Sequence, residues 1–174
     1  MHMMCLEKEA AMEIKTAETR SLDYRNAMSQ LAGAVNIVTT DGAAGRAGFA
    51  ATAVCSVSDN PPTLLVCINR SSSAHRFLFE NGVICVNTLG GDQEKLSQLF
   101  GGKTPIEERF AAAEWSTLET GAPVLKGALA SFDCRVRTIH DGSTHDIIIC
   151  DVVDTVIGEG EEALIYFKRG YRKL

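Results

Sequence analysis

Apolar positions along this chain fall in short β-branched runs punctuated by Gly, Asp and Pro rather than in long helical stripes, and that pattern predicts a mainly β domain. The runs AVNIVTT, FAATAV and TLLVCIN, separated by DGAAGRAG and SVSDNPP, read as three strands whose spacing makes them antiparallel neighbours. VICVNTL is a fourth. ALASFDCRVRTIH and HDIIICDVVDTVI are two long strands joined through Asp141-Gly142, and ALIYFK is the last. Helices decorate this β core. One is expected from Ser21 as N-cap, with Leu22, Tyr24, Met28 and Leu31 on a face that packs on the sheet, ending near Gly33. A short one runs from Ser73 to Glu80, and DQEKLSQLF forms another capped by Asp92. From Gly101-Gly102 to Gly121 the chain reads as irregular. So many short strands favour a closed or partly open barrel over a doubly wound sheet.

A length of 174 residues gives one domain, expected at 21–174 behind a charged, mobile tail of residues 1–20. The balance of 45% hydrophobic and 22% charged residues supports a packed core. The net charge of -5 argues against a general nucleic-acid binder, whose affinity comes from cations neutralising phosphates. No stretch approaches the roughly 20 apolar residues of a membrane span, and Glu7, Glu9 and Glu13 stand where a signal peptide needs an apolar core, so a cytoplasmic protein is expected. The six cysteines form no C-x-x-C pair and four lie in apolar runs, which reads as packing in a reducing compartment. The four histidines lack metal-ligand spacing, so no metal is expected.

Candidate chemistry comes from loops, because no G-x-G-x-x-G, Walker or G-x-S-x-G motif is present. Asn69-Arg70-Ser71-Ser72-Ser73 joins a strand to a helix, where hydroxyls, a guanidinium and backbone N–H groups can converge on a phosphate. The serines equally suit simple helix capping. Gly45 to Ala53 carries small side chains that let a flat ligand approach the backbone, and tight strand packing explains them equally well.

The segments YRNAMSQLAGAVNIVTTDG, AGRAGFAATAVCSVSDNPPTLLVCINRSSS, CVNTL, FGGKTPIEERFAAAEW, PVLKGALASFDCRV, GSTHDIII and LIYFKRGY together resemble the short-chain flavin reductase family, over Tyr24 to Tyr171. FGGKTPIEERFAAAEW is most similar to members serving pyrimidine utilisation. PVLKGALAS and LIYFKRGY are more like the reductase components of 4-hydroxyphenylacetate 3-monooxygenase. The resemblance implies a split β-barrel of the FMN-binding type, assembled as a homodimer, that takes hydride from NADH, or NADPH, to FMN or FAD and supplies reduced flavin to a separate monooxygenase. By position it implies a flavin-lining loop at Arg46, Ala47, Gly48, Phe49, Ala50, Thr52 and Ala53. It implies further flavin contacts at Cys67, Ile68 and Asn69, at Ser72, Ser73 and Ala74 on the phosphate side, and at Asn87 and Thr88. His145 falls at a nicotinamide contact, and Lys168, Arg169 and Tyr171 in a stretch linked to the dinucleotide. Some relatives carry Arg where this chain has Ser73, which bears on FAD. Trp115 receives no role. The rival reading is a flavin-binding barrel without turnover, which oxidation of a nicotinamide cofactor distinguishes.

Overall fold

The computed structural model describes residues 16–174. Of the expected tail, residues 1–15 lie outside the described residues, and Thr16 is already the N-cap of α1 (Ala17–Met28), its hydroxyl accepting from Thr19 N. The helix thus starts before Ser21, because Thr16, five residues earlier, supplies the capping hydroxyl. Nor does it pack on the sheet. It buries no residue, and Leu22, Tyr24, Met28 and Leu31 are all exposed.

The strands are β1 (Gly33–Ala34), β2 (Asn36–Thr40), β3 (Ala47–Ala51), β4 (Val54–Asp59), β5 (Pro62–Asn69), β6 (Val83–Thr88), β7 (Trp115–Thr117), β8 (Pro123–Leu125), β9 (Ala130–Gly142), β10 (His145–Ile157), β11 (Leu164–Phe167) and β12 (Gly170–Lys173). Helices α2 (His75–Asn81), α3 (Glu94–Gly101) and α4 (Ile106–Ala111) lie between them. The main sheet has seven antiparallel strands in the order β3-β2-β6-β9-β10-β5-β4, with smaller sheets β1-β11-β12 and β7-β8 beside it.

That order carries a geometric consequence. β3 and β4 are the two edges of the sheet, yet only Thr52 and Ala53 separate them in the chain. Flat, seven strands would set the edges about 29 Å apart, whereas three peptide links reach at most about 11 Å. The sheet must therefore roll until its edges approach, although no ladder closes between β3 and β4. The run FAATAV, expected as one strand, is two because it leaves β2 at Ala51 and joins β5 at Val54.

Alternation along the strands then sorts the core. Val38, Val66, Ile84, Val86, Cys134 and Ile148 share one cluster, which α2 joins through Leu78. Ile37, Leu89 and Leu164 face the other side, under Leu96 and Phe100 of α3 and Phe110 of α4. α3 buries Leu96 and Phe100 at an i, i+4 spacing, with Gln93 rather than Asp92 at its N-cap position and no side-chain cap bond. The long hairpin turns at Ser143-Thr144, one step beyond the expected Asp141-Gly142, which pair within the strands; Ser143 has φ +74° and its N–H bonds Asp141 Oδ1. β11 and β12 are likewise joined by Lys168 and Arg169, both at positive φ, so the final ALIYFK run belongs to a hairpin.

Candidate functional site

A cleft of about 810 Å³ opens where the rolled sheet splits, within the range of small-molecule sites. Its floor is β3 with the Thr52-Ala53 link. One wall is the end of β5 with the Ser71–Ala74 loop, Phe77 and His145. The other is Phe100 to Ile106 with Arg109. β3 is an edge strand, so one side of its backbone meets no other strand, and its small residues let a ligand reach it. Ala47 and Gly48 are buried under this surface.

The structure brings together thirteen of the expected residues: Arg46, Ala47, Gly48, Phe49, Ala50, Thr52, Ala53, Cys67, Asn69, Ser72, Ser73, Ala74 and His145 line the cleft. Six others lie elsewhere. Ile68 is fully buried, pointing into the core beside Val66. Asn87 is also fully buried, donating to Ile37 O at 3.1 Å and accepting from Leu125 N at 2.8 Å and Ser131 Oγ at 2.9 Å. Thr88 Oγ1 donates to Asn36 Oδ1. Lys168 Nζ sits over the Phe167 ring, Arg169 donates to Asn26 Oδ1, and Tyr171 shares a hydrogen bond with Ser97. Trp115 packs against Phe100 and Phe110 and donates Nε1–H to Phe110 O.

The Gly101–Pro105 segment is the wall that punctuation alone did not reveal. Its residue types gave one signal: Gly-Gly followed by Lys-Thr offers open backbone and a cation, the features that single out the NRSSS loop.

Within that loop the geometry divides the expected donors. Ser71 spends its hydroxyl and N–H on Asn69 Oδ1, and Ser72 Oγ accepts from Ala74 N. Ser73, exposed, has no partner for its hydroxyl or N–H among the described residues. The guanidinium of Arg70 does not face the cleft, contrary to the convergence expected from sequence. It turns to β10, donating from Nε at 2.9 Å and Nη2 at 2.6 Å to Asp146 Oδ1. Nη2 also lies 2.9 Å from Asp141 Oδ1, and His75 Nε2 lies 2.7 Å from Asp146 Oδ2. This cluster pins the loop to the strand that carries His145. Because α2 is only seven residues long, anion affinity here falls to hydroxyls and N–H groups more than to a helix dipole.

The hydrogen bond from Arg70, then that from His75, holds the Asp146 carboxyl below the usual carboxylate range. Its folded value thus lies under the unfolded value of about 3.9. The associated stability is present above that value and is lost as pH falls through the folded one. Asp146→Asn is expected to lower the urea midpoint at pH 7, with the gap to wild type closing as pH falls below the unfolded carboxylate value of about 3.9. A gap that stays constant with pH would remove the carboxylate from the support of the loop.

Electrostatically the cleft opposes the rest of the chain. Arg46, Lys103 and Arg109 line it and, among the described residues, no Asp or Glu does, although the net charge is -5. Arg46 is bound to Asp41 at 2.8 Å and lies over the Phe110 ring. Burial pushes the Cys67 thiol up, so it stays protonated at neutral pH and is a wall rather than a nucleophile. The arrangement suits a flat ligand with an anionic end: small residues and open backbone for a ring, hydroxyls and cations for a phosphate.

Comparison with known proteins agrees with that chemistry. The flavin reductase like domain family model matches residues 28–174. The chain is 73% identical over 174 residues to a protein named FMN reductase (NADH) RutF from Agrobacterium fabrum, covering all of both chains. It is 62% identical over 157 residues to FMN reductase (NADH) RutF 2 of Rhizobium rhizogenes, covering 90% of this chain and 91% of that one. Among solved structures, one assigned as a flavin reductase from Haemophilus somnus matches with a TM-score of 0.85 at 48% identity, over 88% of this chain and 98% of that chain. BorF, the flavin reductase component of a bacterial two-component tryptophan halogenase, matches with a TM-score of 0.82 at 30% identity, over the same two shares. With its cleft built of small residues, hydroxyls and cations, and with these matches along nearly its whole length, the chain belongs to the flavin reductase family.

Proposed function

We propose that this protein is an NADH-dependent flavin reductase that takes FMN as substrate and releases reduced flavin to a separate monooxygenase. The observation that carries the reading is the cleft at the seam of the sheet, where the open edge of β3 shares a lining with Ser73, whose donors are unpartnered among the described residues, and with three cations and, among those residues, no carboxylate. The names of the relatives, FMN reductase (NADH), favour this pairing over FAD and NADPH.

When bound together, the nicotinamide and the flavin would supply the hydride-transfer chemistry themselves. The protein's task is to hold and orient. β3 offers a flat floor whose backbone N–H groups, between Gly48 and Thr52, are the donors for negative charge developing on a reduced ring. Cys67, Asn69 and Phe77 of the cleft lining would bound the ring laterally, Ser72, Ser73 and Ala74 would receive the phosphate, and His145, beside Asn69 across the β5–β10 ladder, would face the nicotinamide. No acid or base is required, because orientation alone converts a two-molecule encounter into a directed step.

The same reading makes residues 21–174 one split β-barrel domain and the working unit a homodimer. Lys168, Arg169 and Tyr171 do not line this cleft, and a second copy is the route by which that hairpin meets a dinucleotide. Among the described residues every cysteine is a free thiol, which favours the cytoplasm.

The test is loss of absorbance at 340 nm with NADH and varied FMN. A rate rising hyperbolically with added FMN, and exceeding that with FAD or NADPH, is expected. A folded protein that binds FMN yet oxidises neither nicotinamide cofactor would leave the flavin-binding barrel without turnover.

A further inference from the structure

Resting on that reading, we infer that Arg109 is a positioning residue that builds the Gly101–Pro105 wall and, through it, sets Lys103 as the contact for a ligand phosphate. Arg109 is 7% exposed on α4, and every hydrogen bond its guanidinium makes among the described residues ends on a backbone carbonyl. Nε donates to Thr104 O at 2.7 Å, Nη2 to Gly102 O at 3.0 Å, and Nη1 to Gly48 O at 3.2 Å and Phe100 O at 3.4 Å.

Those carbonyls belong to three different pieces: the end of α3, the wall segment and the floor strand β3. One planar fork therefore ties wall to floor, and burying it is tolerable because each of its three nitrogens donates to a carbonyl. Lysine cannot reproduce this, since its ammonium offers three donors around one point instead of a planar set.

Gly102 and Thr104, both bound by that fork, bracket Lys103 in the chain. Lys103 lines the cleft, is exposed, and makes no ion pair or hydrogen bond among the described residues. The other two cations of the lining are already engaged, Arg46 with Asp41 and Arg109 with carbonyls. Lys103 is the cation left for an incoming anion. Its partner is a phosphate ester, which both the flavin mononucleotide and the nicotinamide dinucleotide carry.

The experiment compares Lys103→Met and Arg109→Lys with wild type in steady-state oxidation assays. FMN is set against riboflavin, the same ring without phosphate, and NADH against 1-benzyl-1,4-dihydronicotinamide, which has none. Lys103→Met is expected to raise one KM ratio, FMN to riboflavin or NADH to the benzyl compound, by about ten-fold. A change in the first ratio assigns the flavin phosphate and a change in the second the dinucleotide diphosphate. Arg109→Lys is expected to move the same ratio in the same direction despite its unchanged charge. Arg109→Gln, which keeps an amide donor, stands in should the lysine protein not fold. Unchanged ratios in Lys103→Met would overturn the phosphate contact, and a lowered Tm with unchanged ratios in the Arg109 variants would overturn the positioning role. Inactive wild type with every pairing would instead be the failure of the reductase reading.

Discussion

Gly48→Val is expected to lose about 3 kcal/mol of stability, or about 6 to 12 °C in Tm, and to lose FMN-dependent NADH oxidation by more than about ten-fold. A β-carbon at Gly48 would lie 2.8 Å from Phe100 Cε1 and 3.1 Å from Val38 O. The ring can swing aside, but the carbonyl belongs to the β2 backbone, which pairs with β3 at this level. β2 and β3 must therefore shift against each other while the Phe100 ring is pushed aside. That movement displaces Phe100, which lines the cleft, and draws Gly48 O away from Arg109. Gly101→Ala is the matched control, because its β-carbon would meet Ala50 Cβ at an ordinary 3.7 Å. Thermal unfolding and the 340 nm assay together read both effects. Wild-type Tm and flavin KM in Gly48→Val would mean that β2 and the Phe100 ring give way without cost and that the floor is not under packing constraint.

The strands were legible because β-branched residues concentrate in them between Gly, Asp and Pro, and in the fold neighbouring side chains part to different clusters, Val38 from Ile37 and Val86 from Cys85. Their order was not. That the two edges of the sheet are joined by Thr52-Ala53 depends on which distant runs pair, a property of long-range register that no local pattern carries. Apolar spacing predicted a face of α1 packed on the sheet, but Leu22 and Tyr24 point to opposite sides of the helix, Leu31 lies beyond its end, and among the described residues none of these side chains is buried. The Lys168-Arg169 turn was hidden because neither residue is the Gly or Asn that normally advertises positive φ. At the site, the small residues of β3 and the serine loop were readable as open backbone and hydroxyls. Arg109 was not, since an arginine in a charged stretch looks like a solvated face, and only tertiary structure shows its fork closed on four carbonyls.

Asn87→Ala is expected to cost about 3 kcal/mol, equally about 6 to 12 °C in Tm for a chain of this size. The Asn87 amide is a hub at the crossing of three strands. Its Nδ2 donates to Ile37 O on β2, and its Oδ1 accepts from Leu125 N on β8 and Ser131 Oγ on β9. Truncation to alanine strands the buried Leu125 N–H, which no rotating side chain can replace as readily as it can serve the Ser131 hydroxyl. The same substitution separates two roles for this residue. As a core hub it changes Tm while the FMN affinity of the folded protein stays within about two-fold, the ordinary error of such comparisons. As a flavin contact it would lower affinity well beyond that at temperatures where the variant is fully folded. Complete burial of the Asn87 side chain, with its amide turned toward β2, β8 and β9, makes the first outcome the expected one. Fluorescence titration of FMN at 10 °C, alongside thermal unfolding, decides between them.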